Sequence, residues 1–348
     1  MTVNLLASEW VVALRSLSLL HHPRKTMTRM RLIGTLLGAV GAASLTAQPL
    51  LAQGQSRPKI LGVAHMALYV KDLEKTRQFY EQFLGYGEPF TLPPKGGGPG
   101  VRIMFVKVND YQYIEIFNEK NRGEGQLNHI SIYTENADKM RDYLAARGVE
   151  APAKVGKGQT GNKNFNITDP DGHIVEIVEY QPDSWTSREK GKFMPATRIA
   201  DHIMHVGILV GDLAKSQAFY AGILGFKEFW RGSGSGKSLS WVNMRVPEGD
   251  DYVELMLYNN SIPAPDARGG KNHMSLTVPD AQKALEELKR RAAKGLYDKD
   301  MEIQVGVNKK RQINLFDPDG TRVELMEANT IDGKPAPSST APAPHSGN

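Results

Sequence analysis

The sequence predicts an α+β protein made of four βαβββ modules, and three observations carry that prediction. Residues 65–80 read HMALYVKDLEKTRQFY and residues 205–220 read HVGILVGDLAKSQAFY, the same phrase 140 residues later, with Gly85 and Gly225 at the same offset. The tetrapeptide DPDG at 169–172 recurs at 317–320, an offset of 148, so the repeat spans whole halves rather than one motif. Each half also divides into two weaker repeats, each with a short apolar strand, a helix and then alternating strand-like runs. The halves cover 58–182 and 199–330, joined by a polar linker over 183–198.

The elements follow in order. The first helix begins after Asp72, an N-cap residue, carries Phe79, Tyr80, Phe83 and Leu84 on one face, and stops at Gly85. Strand-like runs follow at Val101–Val108 and Tyr111–Phe117. The second helix carries Met140, Tyr143 and Leu144 and ends near Gly148. The third starts at Asp212 with Phe219, Tyr220, Ile223 and Leu224 before Gly225, and strands at Ser238–Val246 and Tyr252–Tyr258 come behind it. The fourth follows Asp280 with Ala281, Leu285 and Leu288.

The two ends read differently. Basic residues Arg24 to Arg31, an apolar run from Leu32 to Ala43 and small or polar residues to Gln53 give the order of an export signal over 1–52. Met27 and Met30 are more usual starts, so 1–26 read as an upstream extension. Cleavage is expected after Ala47 or Ala52, and the product is periplasmic or secreted. The apolar part is too short and too glycine-interrupted for a transmembrane anchor, and no later segment could span a membrane. Residues 331–348, rich in Pro, Ala and Ser, are expected to be disordered.

Composition narrows the chemistry. With 40% hydrophobic and 23% charged residues, the 348-residue chain is an ordinary globular protein. Five of its 43 basic and one of its 38 acidic residues lie in the first 52, leaving 38 against 37, so no basic footprint for nucleic acid remains. Cysteine is absent, which excludes disulfides, thiolate metal sites and a cysteine nucleophile. Any metal must be held by His, Asp or Glu.

Those residues recur in register. His65, His129, His205 and His273 each stand in the opening strand of a module; Glu115, Glu176, Glu254 and Glu324 each stand between apolar neighbours in the closing strand. A lone carboxylate there points to solvent or meets a partner. Four of each, spaced 50, 14 and 47 residues apart in the first half and 49, 19 and 51 in the second, point to metal binding. His173 and His202 read as structural or exposed. RGSGSGKS at 231–238 lacks the first glycine of a phosphate loop and, like PPKGGGPG at 93–100, reads as a loop at the mouth of a site. Trp230, Trp241, Tyr69 and Tyr113 are candidates for an aromatic pocket or for core.

The modules, the phrase DL-x-K-x-x-x-FY, the LG after the first helix, the DPDG turn and the His/Glu placement together resemble the vicinal oxygen chelate superfamily, over nearly all of 60–328. That family includes glyoxalase I, methylmalonyl-CoA epimerase, fosfomycin and bleomycin resistance proteins and extradiol dioxygenases. The resemblance implies that modules pair into two glyoxalase-like half-barrel domains. It also implies two metal sites, His65, Glu115, His129 and Glu176 in one and His205, Glu254, His273 and Glu324 in the other. Imidazole and carboxylate ligands suit nickel, zinc, cobalt, manganese or iron(II).

By the same resemblance Glu176 and Glu324 match a catalytic base, a role that Glu115 and Glu254 could share. The expected activity is a metal-dependent lyase, isomerase or epimerase acting on a small vicinally oxygenated molecule. An iron(II) dioxygenase using His205, His273 and Glu324, and a non-catalytic binding protein of bleomycin-resistance type, are the alternatives. The chain departs from both enzyme branches. Tyr69 and Leu209 stand where glyoxalase I has an Arg, Asn166 and Asn314 stand where extradiol dioxygenases have a Tyr, and no His lies between His273 and Asp317.

Overall fold

A computed structural model describes residues 55–119, 126–258 and 263–344. The expected signal over 1–52 and His345 lie outside these residues. Within the first half run β1 (Ile60–Tyr69), β2 (Gly87–Leu92), β3 (Ile103–Lys107), β4 (Tyr113–Phe117), β5 (Leu127–Thr134), β6 (Gly156–Lys157), β7 (Lys163–Thr168) and β8 (Ile174–Glu179). The second half repeats them as β9 (Ile203–Val210), β10 (Lys227–Gly232), β11 (Trp241–Arg245), β12 (Tyr252–Leu257), β13 (His273–Val278), β14 (Gln304–Val305), β15 (Lys310–Phe316) and β16 (Arg322–Thr330).

Each half is one curled eight-stranded sheet, β2-β3-β4-β1-β5-β8-β7-β6 and its counterpart β10-β11-β12-β9-β13-β16-β15-β14. Two modules therefore pair within a half, not across halves. The opening strands of the pair, β1 with β5 and β9 with β13, run antiparallel at the middle of each sheet. Each is flanked by its own module's closing strand in parallel: β4, β8, β12 and β16. This order gathers the four His/Glu strands of each half side by side.

Four helices are where the apolar spacing put them. The Asp72 and Asp212 carboxylates cap α1 (Leu73–Arg77) and α4 (Leu213–Gln217) by accepting from Lys75 N and Lys215 N. Each helix then widens into a π-helical turn, Gln78–Phe83 and Ala218–Ile223, that buries Phe79, Tyr80 and Phe83, or Phe219 and Tyr220. Gly85 and Gly225 end them at φ +84 and +77, a backbone region that glycine enters without a Cβ clash. Asn136 caps α2 (Ala137–Ala145) and Asp280 caps α5 (Ala281–Ala292), burying Met140, Tyr143 and Leu144, and Leu285 and Leu288. Among the described residues no helix is long and apolar enough to cross a membrane.

Two segments differ from expectation. The linker holds a short helix, α3 (Trp185–Arg188), capped by Ser184, whose Trp185 is buried. The tail, expected to be disordered, is laid as extended chain along the second half as far as 344. Ser339 N donates to Arg231 O, Leu239 N donates to Pro342 O, and Ala341 packs on the core. Backbone pairing to an available sheet edge supplies what its apolar-poor side chains do not.

Candidate metal centres

In the first half the sheet order brings all four predicted donors together. His65 and His129 face each other with Nε2 atoms 2.8 Å apart. Glu115 Oε2 lies 3.3 Å from both, and Glu176 Oε2 lies 3.1 Å from His65 Nε2 and 3.9 Å from His129 Nε2. The second half repeats this more loosely. His205 and His273 Nε2 atoms are 3.0 Å apart, Glu254 Oε2 is 3.5 Å from His273 and 4.0 Å from His205, and Glu324 Oε2 is 3.6 Å from His205. All eight side chains are buried.

Donors each about 2.1 Å from a first-row divalent ion stand about 3.0–3.4 Å apart when adjacent and about 4.2 Å when opposite, and the distances within both sets lie close to that span. The clearest sign is in the second set, where Glu324 Oε2 is buried and, among the described residues, has no hydrogen-bond partner. Ligands outside the cluster differ between the halves. His129 Nδ1 meets Asn128 Oδ1 at 2.8 Å, Ser131 Oγ donates to Glu176 Oε2 at 2.9 Å and Asn164 Nδ2 donates to Glu176 Oε1. In the second set His273 Nδ1 meets Lys271 O at 2.6 Å, which fixes the ring with Nε2 free.

The electrostatics differ more sharply. At His65 burial disfavours the charged ring, but Glu176 and Glu115 outweigh it and hold the imidazole proton up to about 10. The same pairing overcomes burial to hold Glu176 and Glu115 below the usual carboxylate range. In the second set burial prevails over pairing. Burial, reinforced by the Arg322 charge, pushes His205 and His273 well below the usual imidazole range. Burial and then Glu324 push Glu254 up to about 8 against Arg322, and burial raises Glu324 as well.

The surroundings separate the two cups. In the first, Trp185 from the linker fills the concave face, with ring centroids 4.9 Å from Phe90, 5.2 Å from Tyr113 and 5.9 Å from Phe105. Thr160 O accepts from its backbone N–H and holds it there. The second cup has a cavity of about 220 Å³ between Trp230, Trp241, Glu254, Asn308, Arg322 and Glu324. An adjoining chamber of about 270 Å³ shares Trp230 and Asn308 and is walled by tail residues Gly333–Ala336. A larger groove of about 700 Å³, beside Arg198 and Pro279, holds none of the eight donors.

Of the aromatic candidates, Trp230 and Trp241 line the second cavity, Tyr113 belongs to the apolar fill of the first cup, and Tyr69 packs on Phe117. His173 is buried against Asp169, and His202 pairs with Asp251 at 2.7 Å, both away from the clusters. Three contributors were missed in the sequence. Gly207 faces His273 in the strand register, and a Cβ there would lie 2.0 Å from the imidazole, so only glycine leaves the ring its place. Arg322 and Trp185 carried no signal beyond standing two residues before Glu324 and inside a polar linker.

The chain matches known proteins along both halves. The sequence profile described as Glyoxalase/Bleomycin resistance protein/Dioxygenase superfamily matches residues 62–177 and again 202–325. The lactoylglutathione lyase of Salmonella typhimurium is 31% identical over 132 residues, 36% of this chain and 92% of the lyase. The catechol-2,3-dioxygenase of Bacillus subtilis is 21% identical over 241 residues, 62% of this chain and 82% of that enzyme. An extradiol ring-cleaving dioxygenase from B. fuscum superposes with a TM-score of 0.61 at 17% identity, covering 82% of this chain and 77% of the other, a likeness of fold. With the profile repeated over both sheets, the chain belongs to the glyoxalase/bleomycin resistance protein/dioxygenase superfamily, the vicinal oxygen chelate fold.

Proposed function

We propose that the protein is a metal-dependent lyase, isomerase or epimerase of glyoxalase type, acting in the second cup on a small molecule with two neighbouring oxygens. The observation that carries this reading is the convergence of His205, His273, Glu254 and Glu324, with the two glutamates lining a cavity beside the buried histidines. These four side chains would hold a divalent ion, which would supply Lewis acidity toward the substrate oxygens. Glu324, whose Oε2 has no hydrogen-bond partner among the described residues, takes the proton from the oxygen-bearing carbon next to the carbonyl and returns it to that carbon or its neighbour. Glu254 shares the proton, because two carboxyls side by side in a buried site do not both ionise readily.

The first cup holds the same donors without that freedom. Both Glu176 oxygens accept hydrogen bonds, and Trp185 occupies the space above Tyr113. Glu176 therefore holds metal in this reading, and Glu324 is the residue that turns over. Export by residues 1–52 belongs to the same proposal.

The test is solvent exchange. The zinc-, nickel- or cobalt-loaded protein is incubated in D₂O with a panel of α-hydroxy ketones and 2-hydroxy acids, and deuterium uptake is read by NMR. Glu324→Gln, which keeps one ligating oxygen, is expected to lower uptake by about 10²–10⁴ per equivalent of metal bound at the second site. Equal uptake by the variant rejects the mechanism.

A second reading rests on a triad within the site. Ligand atoms of His205, His273 and Glu324 lie within 4.8 Å of one another, the two-His, one-carboxylate set of non-haem iron(II) oxygenases. Oxygen uptake with catechols by the iron(II) form, without deuterium exchange in any other form, would favour it.

A further inference from the structure

We propose that the substrate of the second cup carries a carboxylate, anchored by the Arg322 guanidinium and the Trp230 indole N–H beside the metal donors. This rests on the reading of the second cup as the reaction site and adds the chemical class of what enters it.

Arg322 opens β16 and shares a strand face with Glu324 and Met326, so its side chain enters the cavity that all three line. Among the described residues it makes no hydrogen bond or ion pair, and its Nε is buried without a partner. Trp230 Nε1, on the facing wall of the same cavity, is buried and partnerless too. Buried N–H groups are seldom left unpaired, and each carries a desolvation cost until an acceptor arrives. A carboxylate supplies the acceptor that both lack, being an acceptor-only group with a negative charge.

The other half shows that the scaffold does not need these residues. Ile174 opens β8 two residues before Glu176, as Arg322 opens β16 before Glu324. Phe90, which pairs with Phe105 on β3, stands where Trp230 pairs with Asn243 on β11. The first cup thus has an aliphatic and a phenyl side chain at the places where the second has two N–H donors. The cavity of about 220 Å³ is large enough for a small organic acid.

The probe is phenylacetate against phenylacetamide, the same shape without the charge. Both are titrated into the ¹⁵N-labelled full chain, metal-free and again zinc-loaded, while the tryptophan indole N–H signals are followed. The acid is expected to shift the Trp230 signal and to bind at least about tenfold more tightly than the amide. Arg322→Met is expected to remove that preference, Arg322→Lys to keep part of it, and Trp230→Phe to weaken the acid selectively. Unchanged melting temperature and zinc content show that each variant is folded. Equal binding of acid and amide, equal binding by wild type and Arg322→Met, or no binding of the acid in either form would overturn the proposal. The metal-free titration is independent of the reaction, so an anion site can fail while zinc binds, and zinc can fail to bind while the anion site stands.

Discussion

Tyr80, in the π-helical turn of the first half, donates its buried hydroxyl to Asp317 Oδ2 at 3.2 Å in the DPDG turn of the second, and Tyr220 returns the bond to Asp169 Oδ2 at 3.1 Å. The most visible repeated motifs in the sequence therefore tie the halves to each other. Only the opening His65 and His205 of the repeated phrase belong to the candidate metal centres.

This pairing has a pH signature. Burial, with the charge of Asp319, raises Asp317 to about 6 despite the backbone N–H groups of Thr321 and Asp319 that favour its ionised form. Between its ordinary value near 4 and about 6 the folded state binds more protons than the unfolded one, so this group lowers stability as pH rises through that window. Asp317→Asn is expected to flatten the pH dependence of unfolding between pH 4 and 6 by about 1–3 kcal/mol. Denaturant unfolding at the two pH values checks it; a slope equal to wild type would refute the assignment.

Metal uptake should release protons from both sites, but from different groups. In the first site the proton to be displaced is on His65, held up to about 10 against burial by Glu176 and Glu115. In the second the histidines are already neutral and the proton is on Glu254, raised to about 8 by burial and Glu324. Affinity at both sites is expected to rise with pH. The second should level off near pH 8 while the first continues to strengthen toward 10. Calorimetric zinc titrations of His65→Ala, reporting the second site, and His205→Ala, reporting the first, separate the two curves.

Gly207→Ala should disable one site alone. The added methyl would overlap the His273 ring, which Ala67 at the equivalent strand position of the first half does not do to His129. Elemental analysis is expected to show the metal content falling by about one equivalent, with turnover lost and the first site still filled. Full occupancy of both sites in this variant would show that His273 is not a ligand.

Trp185→Ala should separate stability from turnover. Removing a buried indole stacked on Phe90, beside Tyr113 and Phe105, leaves a cavity expected to cost about 3–5 kcal/mol. Activity of the second cup, at temperatures where the variant is folded, is expected to stay near wild type. A large loss of kcat at unchanged second-site metal content would mean that the first cup takes part in the reaction.

Much was determined by the sequence alone. Strands reveal themselves by alternation, and helices by capping Asp residues and a stop at Gly85 and Gly225. The His/Glu positions repeat because each module builds the same strands, so the eight candidate donors could be named from their register. What the sequence left open was set by contacts between residues far apart in the chain. Whether modules pair within or across halves depends on which sheet edges meet, and β1 with β5 and β9 with β13 answer it within each half.

The different fates of the two cups are likewise tertiary. Trp185 is one aromatic residue in a polar linker until the chain folds it onto Phe90, and Arg322 is one basic residue on a strand until the cavity leaves it without a partner. The tail resembles a disordered segment in composition, but backbone hydrogen bonds to Arg231 and Leu239 do not depend on side-chain hydrophobicity. Local sequence specified which groups could bind a metal. Burial, and the charges that burial brings together, made one set an ion pair of His65 with Glu176 and Glu115 and left the other with neutral histidines beside a cavity.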